Sequence, residues 1–562
     1  MAQNIQTLSN AEIADRLTAL AQLLSLEKAN PYKIRAYRRA ASTIRGLGDS
    51  VDELVRSNGD LKIYAGIGDA ISGAVREIVL TGTFASLEKL RSNASEEMLG
   101  ISAHPRLDAK RVLRIYKKLR IGSIEELRKV LDSGEIERVF GARMAQHVKQ
   151  GLIESSAILL YRAHDVCNSI EAFLRRRCKV KHVEAVGDYR RRVEVIENLE
   201  FVIQSDDFPS VISAMESFGG RMPLLDSGAK SATYSMAAGP VLHLYLSDRN
   251  NWGLSLIRHT GSQLHLRKLT AVTGNLATLQ KTSSFDSENA FYKNFGLAFI
   301  PPELRSGYEE VEQAQAGALP NLITQDEILG DLHAHTMSSD GSDSIEDMAH
   351  AAKELGYEYL GITDHSQSLK IARGLSPEQM WKQIRAIDKL NGRLEGIRLL
   401  KSAEVDILAD GSLDYGDDVL RELDYTVCSI HSRFGLGKRE QTERILRAMD
   451  NRNFNILGHA TGRLLLKRPG YDLDFERIIE HAKQNGCFFE LNSSPDRLDV
   501  SAENARLAKA AGILIAISTD AHSTGEFGTI RFGIEQARRA GLDKESVLNC
   551  KPWKALSKLF AR

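Results

Sequence analysis

Little in this chain marks it as secreted, fibrous or membrane-embedded. Its five cysteines, Cys167, Cys178, Cys428, Cys487 and Cys550, are odd in number, widely scattered and never spaced as CxxC. That excludes a disulfide framework and points to a reducing compartment, the cytoplasm. Proline is scarce, at 12 of 562 residues, and there is no low-complexity tract or fixed-period repeat, which excludes proline-rich, collagen-like and solenoid architectures. No stretch approaches the roughly 20 apolar residues a membrane span requires. The opening MAQNIQTLSNAEIADRL lacks the basic start and apolar run of a secretory signal, so a soluble chain with no membrane partner is expected. Net charge is absent too: 74 lysines and arginines balance 74 aspartates and glutamates, and only the distribution of charge can speak for a nucleic-acid partner. What is present, 43% apolar and 26% charged residues, is an ordinary globular composition. The length exceeds the roughly 250 to 300 residues at which single cores stop growing, so several domains are expected.

Periodicity divides the chain. Residues 1 to about 155 place apolar residues at three- and four-residue spacing, as in AEIADRLTALAQLLSL and SIEELRKVL, and predict an all-α region. From about 157 to 306 short β-like runs, KHVEAVG, LEFVIQ and VLHLYL, alternate with helical segments and predict an α+β domain. Residues 308 to 330, GYEEVEQAQAGALPNLITQDEIL, begin acidic and show few strong apolar anchors, which predicts a connector. Beyond it EILGDLH, YEYLGITDH, IRLLKSAEVDI, LDYTVCSIH, FNILGHA, CFFELNSS and ILIAISTDAH alternate with helical stretches. Seven strand–helix units in succession predict an α/β domain whose parallel sheet closes as a (β/α)7 barrel.

Each of these runs ends in polar residues suited to metal or phosphate chemistry. In a parallel α/β barrel the carboxy-terminal strand ends converge on one face, so residues far apart in sequence are expected to meet there. The candidate ligands are His333, His335, Asp340, His365, Glu404, His431, His459, Asp520 and His522. Six imidazoles and three carboxylates suit zinc, manganese or iron, and a carboxylate such as Glu404 can bridge two ions, so the set is large enough for two to three divalent metals. A lone histidine reads better as a core or surface residue, but six of the eight histidines after residue 330 fall at strand ends, and only His350 and His481 fall in helix-like stretches. Such a cluster can lower the pKa of a bridging water towards neutrality, supply hydroxide in line with a phosphorus atom and neutralise charge on the leaving oxygen, which is phosphoester hydrolysis. Arg463 and Arg497 follow closely after ligand-bearing strands and either grip phosphate oxygens or are surface arginines.

These residues, as DLHAHTMSSDG, GITDHS, AEVDI, SIHS, GHATGR, ELNSSPDRLD and STDAHS, closely resemble the polymerase-and-histidinol-phosphatase (PHP) family over the whole region after residue 330. The resemblance implies that His333 and His335, with Glu404 and Asp520, hold one metal, that Glu404, His431 and His459 hold a second, and that Asp340, His365 and His522 hold a third.

Towards the amino terminus, KIYAGIGDAISGAVREIVLTG opens a helix on the turn Gly66-Ile67-Gly68. Such a turn presents backbone N–H groups at a helix start, a phosphate site that needs no base contact. Basic residues crowd the neighbourhood: Lys33, Arg35, Arg38, Arg39 and Arg45 in one run, and Arg106, Lys110, Arg111, Arg114, Lys117, Lys118 and Arg120 in another, a pattern that suits backbone tracking. With GDYRR at 187 to 191, TGS at 260 to 262 and IPPELR at 300 to 305, the arrangement resembles the bacterial family X DNA polymerases, whose helix-hairpin-helix motifs grip DNA near gaps and ends. The resemblance covers nearly the whole chain. It implies a helical lyase-like domain at 1–90, a helical fingers-like domain at 91–156, a nucleotidyltransferase-like palm at 157–235, a thumb-like domain at 236–307, a linker at 308–330 and a PHP domain at 331–562. The second helix-hairpin-helix region, HPRLDAKRV, lacks the glycine pair.

A family X palm needs three aspartates around two magnesium ions. Asn198 stands at the first position, Glu200 at the second and, counting back from TGS, His243 at the third. Asparagine and histidine are poor magnesium ligands, and magnesium tolerates little departure from octahedral oxygen geometry, so magnesium-dependent nucleotidyl transfer is expected to fail. Asp188 replaces the serine that would touch nucleotide phosphate. The resemblance places Ala74 where lyase-active relatives have a Schiff-base lysine, so lyase activity is not expected unless another lysine substitutes. The expected function is a metal-dependent hydrolase, a 3′-5′ exodeoxyribonuclease in DNA repair of the base-excision kind. It would bind gapped or 3′-ended DNA without sequence preference and carry a degenerate polymerase site. The rivals are a working gap-filling polymerase with PHP proofreading, a small-molecule phosphatase of the histidinol-phosphate kind, and a non-catalytic DNA-end scaffold.

Overall fold

The computed structural model describes residues 7–27, 29–92, 109–142, 144–145, 148, 157–236 and 239–561. Two compact units emerge. One comprises Met1–Arg190, Val195–Ser262 and Leu269–Phe295, the other Arg191–Glu194, Gln263–Lys268 and Gly296–Arg562. The thumb-like stretch 236–307 is thus shared between them.

The first unit begins with helices. Ser9 and Glu12 form a reciprocal capping box at the start of Asn10–Leu26, and the Asn30 side chain caps Pro31–Gly46, with Pro31 pre-set for the first turn. Their apolar stripes meet, with Ile13, Leu17, Leu20 and Leu24 packed in one core with Tyr37, Ala40, Ile44, Val75 and Ile78. A five-stranded sheet follows in the order Val180–Val186, Asn198–Ser205, Val241–Leu246, Ser231–Ser235 and Leu224–Ser227. Asn198–Ser205 and Val241–Leu246 are parallel and the remaining pairs antiparallel.

The second unit is a closed barrel. Gly330–Ala334, Tyr359–Ile362 and Arg398–Lys401 form one parallel sheet. Glu404–Asp406, Val427–Ser429, Ile456–Leu457, Phe488–Asn492 and Ile515–Ser518 form another. Arg398–Lys401 and Glu404–Asp406 are two pieces of a single strand interrupted at Ser402 and Ala403, so the strands number seven. Two parallel bridges join the sheets, His365 with Glu404 and Ala334 with Ala521. The second is reinforced by Asp520 N donating to His333 O at 2.9 Å and His335 N to Ala521 O at 2.8 Å. Strands covered on both faces need continuous apolar runs, and these supply them. Leu332, Tyr359, Leu400, Val427, Ile456, Phe488 and Ala516, one from each strand, pack together in one buried cluster.

Residues 308–330, expected as a connector, belong to this unit. They form a helix, Glu310–Ala316, and bury Val311, Ala314, Leu322, Ile323 and Ile328. Ile323 N donates to Leu542 O at 3.0 Å. Among the described residues no helix is long and apolar enough to cross a membrane.

Candidate metal centre

All nine expected ligands gather at the carboxy-terminal ends of the barrel strands. Glu404 is the hub. Its Oε2 lies 2.8 Å from His365 Nδ1, 3.5 Å from His333 Nε2 and 3.6 Å from His335 Nε2. Its Oε1 lies 2.8 Å from His459 Nε2 and 3.2 Å from His431 Nε2. Asp520 Oδ1 lies 3.1 Å from His335 Nε2, and Asp340 Oδ2 lies 3.5 Å from His365 Nε2 and 3.4 Å from His522 Nε2. Three groups have ligand atoms close enough to share an ion: His333, His335 and Asp520; His365, Glu404 and His431; and His335, Asp340, His365 and His522. His365 faces both Glu404 and Asp340, so it stands between the second and third groups.

The residues fit divalent metals. His335 Nδ1, His365 Nδ1 and Glu404 Oε2 are buried with no hydrogen bond, and His333 Nε2 meets His335 Nε2 at 3.1 Å. Buried polar atoms are rarely left so, and an all-nitrogen and oxygen donor set suits zinc, manganese or iron. Burial opposes charge on the imidazoles, yet Glu404 and Asp340 lift His365 to about 10, Glu404 and Asp406 lift His431 to about 9, and Asp340 and Asp520 lift His522 to about 9. Burial, together with the neighbouring His522 and His365, pushes His335 down to about 3. Glu404 and Asp520 are held far below the usual carboxylate range, the surrounding histidines outweighing burial.

A second layer, which motif reading missed, holds the ligands. Glu490 Oε1 lies 2.6 Å from His333 Nδ1, its Oε2 accepts from His459 N at 2.7 Å, and Asp406 Oδ1 lies 3.0 Å from His431 Nδ1. Such carboxylates set the tautomer and aim of a ligating imidazole. Asp364 accepts from Thr336 N at 2.8 Å, Thr336 Oγ1 at 2.7 Å and Ser339 Oγ at 2.6 Å, shaping the loop that carries Asp340. Asp331 accepts from Thr519 Oγ1 at 2.5 Å, bracing the strand before Asp520. The available signal was an acid inside an otherwise apolar strand, as in CFFELN. His459 and Asp520 both have positive φ, 25° and 57°, a backbone conformation that concentrates at functional sites. His350 and His481 lie within the helices Ile345–Glu354 and Phe475–Asn485.

The two arginines part company. Arg497 Nε lies 3.7 Å from Asp520 Oδ2 at the edge of the cluster. Arg463 points its guanidinium into the protein: Nη2 donates to Glu194 Oε1 at 2.6 Å and to Leu498 O, and Nε donates to Arg497 O at 2.9 Å. With these bonds Arg463 faces Glu194 and the carbonyls of Arg497 and Leu498, whereas Arg497 faces Asp520.

In the first unit, Lys33, Tyr37, Lys62 and Tyr64 line a groove of about 680 Å³ with Gly66, Ile67 and Gly68. Gly66 has φ +85°, and an added Cβ would meet Arg39 at 3.3 Å. Gly68 caps Asp69–Thr81 with no side-chain bond, leaving the helix start to its backbone N–H groups. Arg35 lies over the Tyr32 ring at 4.8 Å, and Arg38 bonds Gln22 at 3.2 Å. Most of HPRLDAKRV, including Arg106, lies outside the described residues.

Of the expected polymerase positions, Glu200 is in register with His243 on the neighbouring strand and Asn198 with Val241. His243 Nδ1 lies 3.2 Å from Thr233 Oγ1, and Tyr245 stacks on His259 at 3.9 Å. Burial pushes His243 down and, helped by Arg258, takes His259 down to about 4, so both rings are neutral near pH 7. Arg190 of GDYRR forms a bidentate pair with Glu288 at 2.9 and 2.8 Å.

A seven-stranded parallel barrel with Glu404 and eight further candidate nitrogen and oxygen ligands gathered at one end has the layout of a PHP-type metal-dependent phosphoesterase unit. Residues 331–494 match the PHP domain family and residues 8–84 the helix-hairpin-helix domain family. The chain is 31% identical to the DNA polymerase/3′-5′ exonuclease PolX of Bacillus subtilis (strain 168), over 98% of this chain and 99% of that protein. The barrel region alone is 30% identical to a probable phosphatase of Thermoanaerobacter sp. (strain X514), over 39% of this chain and 89% of the relative. It is 32% identical to a probable phosphatase of Acetivibrio thermocellus, over 35% of this chain and 81% of the relative. The chain belongs to the bacterial family X DNA polymerases that carry a carboxy-terminal PHP domain.

Proposed function

We propose that this protein is a cytoplasmic 3′-5′ exonuclease of DNA repair whose polymerase-like body binds gapped or 3′-ended DNA without extending it. The observation that carries the nuclease reading is Glu404, whose two oxygens lie within 3.6 Å of five imidazoles, with His335 Nδ1, His365 Nδ1 and Glu404 Oε2 buried without a hydrogen bond. His333, His335, Glu404 and Asp520 would hold one ion, Glu404, His431 and His459 a second, and Asp340, His365 and His522 a third. When bound, divalent ions supply Lewis acidity, making water nucleophilic near neutral pH and neutralising charge on a phosphoryl group.

The chain's own residues do the rest. Glu490 and Asp406 keep the Nε2 atoms of His333 and His431 turned inward. Glu404 and Asp520 stay ionised and so repel a naked phosphate, which selects for the metal-loaded state. Arg497, at the rim, holds a non-bridging oxygen of the scissile phosphate. At the amino terminus the backbone N–H groups after Gly66-Ile67-Gly68, with Lys33, hold DNA phosphate without reading bases.

The idle polymerase site is supported by its chemistry. Where two magnesium ions need three aspartates, the chain offers the amide of Asn198, the carboxylate of Glu200 and a neutral His243. Both claims are tested by a time course on a 3′-recessed, 5′-labelled duplex with manganese or magnesium, with and without dNTPs, for the intact protein and a His333→Ala/His335→Ala variant. Shortening by the intact protein alone is expected. Primer lengthening by both proteins would refute the idle palm, and shortening by both would refute the metal centre.

A further inference from the structure

Arg463 and Glu194 are 269 residues apart in sequence, yet they form one of the best-made ion pairs in the barrel unit, with side chains 15% and 18% exposed. The segment Arg191–Glu194 belongs to that unit and is moored on the helix Ile530–Arg539. Gln536 Nε2 donates to Arg192 O at 2.8 Å, and Arg192 Nε lies 3.4 Å from Glu535 Oε1. Glu194 is thereby presented to Arg463 at 2.6 Å. The same guanidinium donates to two successive carbonyls, of Arg497 and Leu498. The turn that carries them is closed by Arg497 N and Leu498 N donating to Ser494 O at 2.8 and 3.0 Å. Arg497, tied on both sides of its own peptide, directs its side chain to Asp520.

We propose that Glu194 and Arg463 are positioning residues for Arg497: their ion pair clamps the turn 494–498 so that the Arg497 guanidinium meets the phosphate at the metal centre. The proposal rests on the nuclease reading above. A planar guanidinium has the fork needed to hold a carboxylate and two carbonyls at once, which a lysine lacks. Without Glu194 the Arg463 fork keeps only the carbonyls of Arg497 and Leu498 as hydrogen-bond acceptors, with the buried Asp499 as its charged neighbour, and the turn loses its outer anchor. A residue from the sequence that follows the GDYRR motif is thereby part of the nuclease.

The test is a double-mutant cycle on the full-length protein with manganese, measuring kcat and KM on a 5′-labelled single strand for Glu194→Ala, Arg497→Ala and the double variant. Bound metal and melting temperature are read for each. Supporting partners of active-site groups are worth about 10- to 100-fold, so Glu194→Ala is expected to lower kcat/KM about tenfold with metal content unchanged, and to lower it no further once Arg497 is alanine. Glu194→Gln, whose amide oxygen still accepts, is expected to retain most of the activity. The same loss in both backgrounds, a loss of bound metal, or full activity in Arg497→Ala would overturn the clamp. Manganese-dependent hydrolysis of bis-p-nitrophenyl phosphate is read alongside. A wild-type protein that cleaves this ester and spares DNA refutes the exonuclease reading, and the same cycle on the ester then decides the clamp by itself.

Discussion

Replacing Glu490 by glutamine tests the second layer of the metal centre at one atom pair. The carboxylate serves two sides: Oε1 meets His333 Nδ1 at 2.6 Å, and Oε2 accepts from His459 N at 2.7 Å and Asn492 Nδ2 at 3.2 Å. An amide has only one acceptor oxygen. If it faces His333, its NH2 confronts two donors; if it faces His459, the NH2 confronts His333 Nδ1 and forces the proton onto Nε2, the nitrogen needed for metal. An unmet buried donor costs about 1–3 kcal/mol. Second-layer changes lower metal affinity about 10- to 100-fold, which is about 1.4–2.7 kcal/mol at 1.36 kcal/mol per tenfold, so the two estimates agree. The assay is manganese titration against a competing chelator, followed by nuclease rate at limiting and excess metal. Glu490→Gln is expected to bind manganese at least tenfold more weakly and to recover much of its rate at excess metal. Unchanged affinity, or a rate loss indifferent to manganese concentration, would refute the argument that Glu490 acts through His333 and His459.

Other predictions follow from the same geometry. His365, lifted to about 10, and His431 and His522, each lifted to about 9, are protonated at neutral pH in the metal-free protein. Those protons must leave on metal uptake, so affinity is expected to rise from pH 6 to 9 with proton release in calorimetry in buffers of different ionisation enthalpy; a pH-independent affinity would contradict it. By the same sign, those three histidines stabilise the metal-free fold fully below their unfolded pKa near 6.5 and lose that contribution as pH rises through 9 to 10. His335, pushed down to about 3, works in the opposite sense below 6.5, so the metal-free melting temperature is expected to fall from about pH 6.5 up to pH 9 to 10. Lys33→Ala is expected to weaken binding of every DNA sequence alike and to reduce the slope of log affinity against log salt by about one, read by fluorescence anisotropy.

What could be read from the sequence was whatever local pattern and chemistry express together. The nine candidate ligands could be picked out because most sit where a strand run stops, Asp340 lying in the loop after the first, and a barrel brings such stops to one face. Glu490 and Asp406 were not, because one residue's partner in a barrel lies on another strand and no spacing records which. Arg463 and Arg497 follow their strands in much the same way, and only the path of the chain at Glu194 decides that one turns inward and the other stays at the rim. The stretch 308–330 misled because its anchors, Val311, Ala314, Leu322, Ile323 and Ile328, are too sparse to show a helical or strand period, yet each is buried against a unit whose surface the sequence does not reveal. The strands Leu224–Ser227 and Ser231–Ser235 were missed because they are short and lie at one side of their sheet, with LLDS and SATYS offering little apolar alternation.

The barrel's two sheets are joined through isolated bridges, His365 with Glu404 and Ala334 with Ala521, each backed by a pair of backbone hydrogen bonds. The residues at or next to those bridges are the ligands themselves: His365 and Glu404 across one, His333 and His335 opposite Asp520 and His522 across the other. An ion bound there acts as a rivet, fastening strands whose own ladders are thinnest at that height. Metal loading would then also tighten the closure of the cylinder. A protein stripped of metal would lose more than its chemistry, since the rim at the carboxy-terminal strand ends would be the first part of the wall to gape.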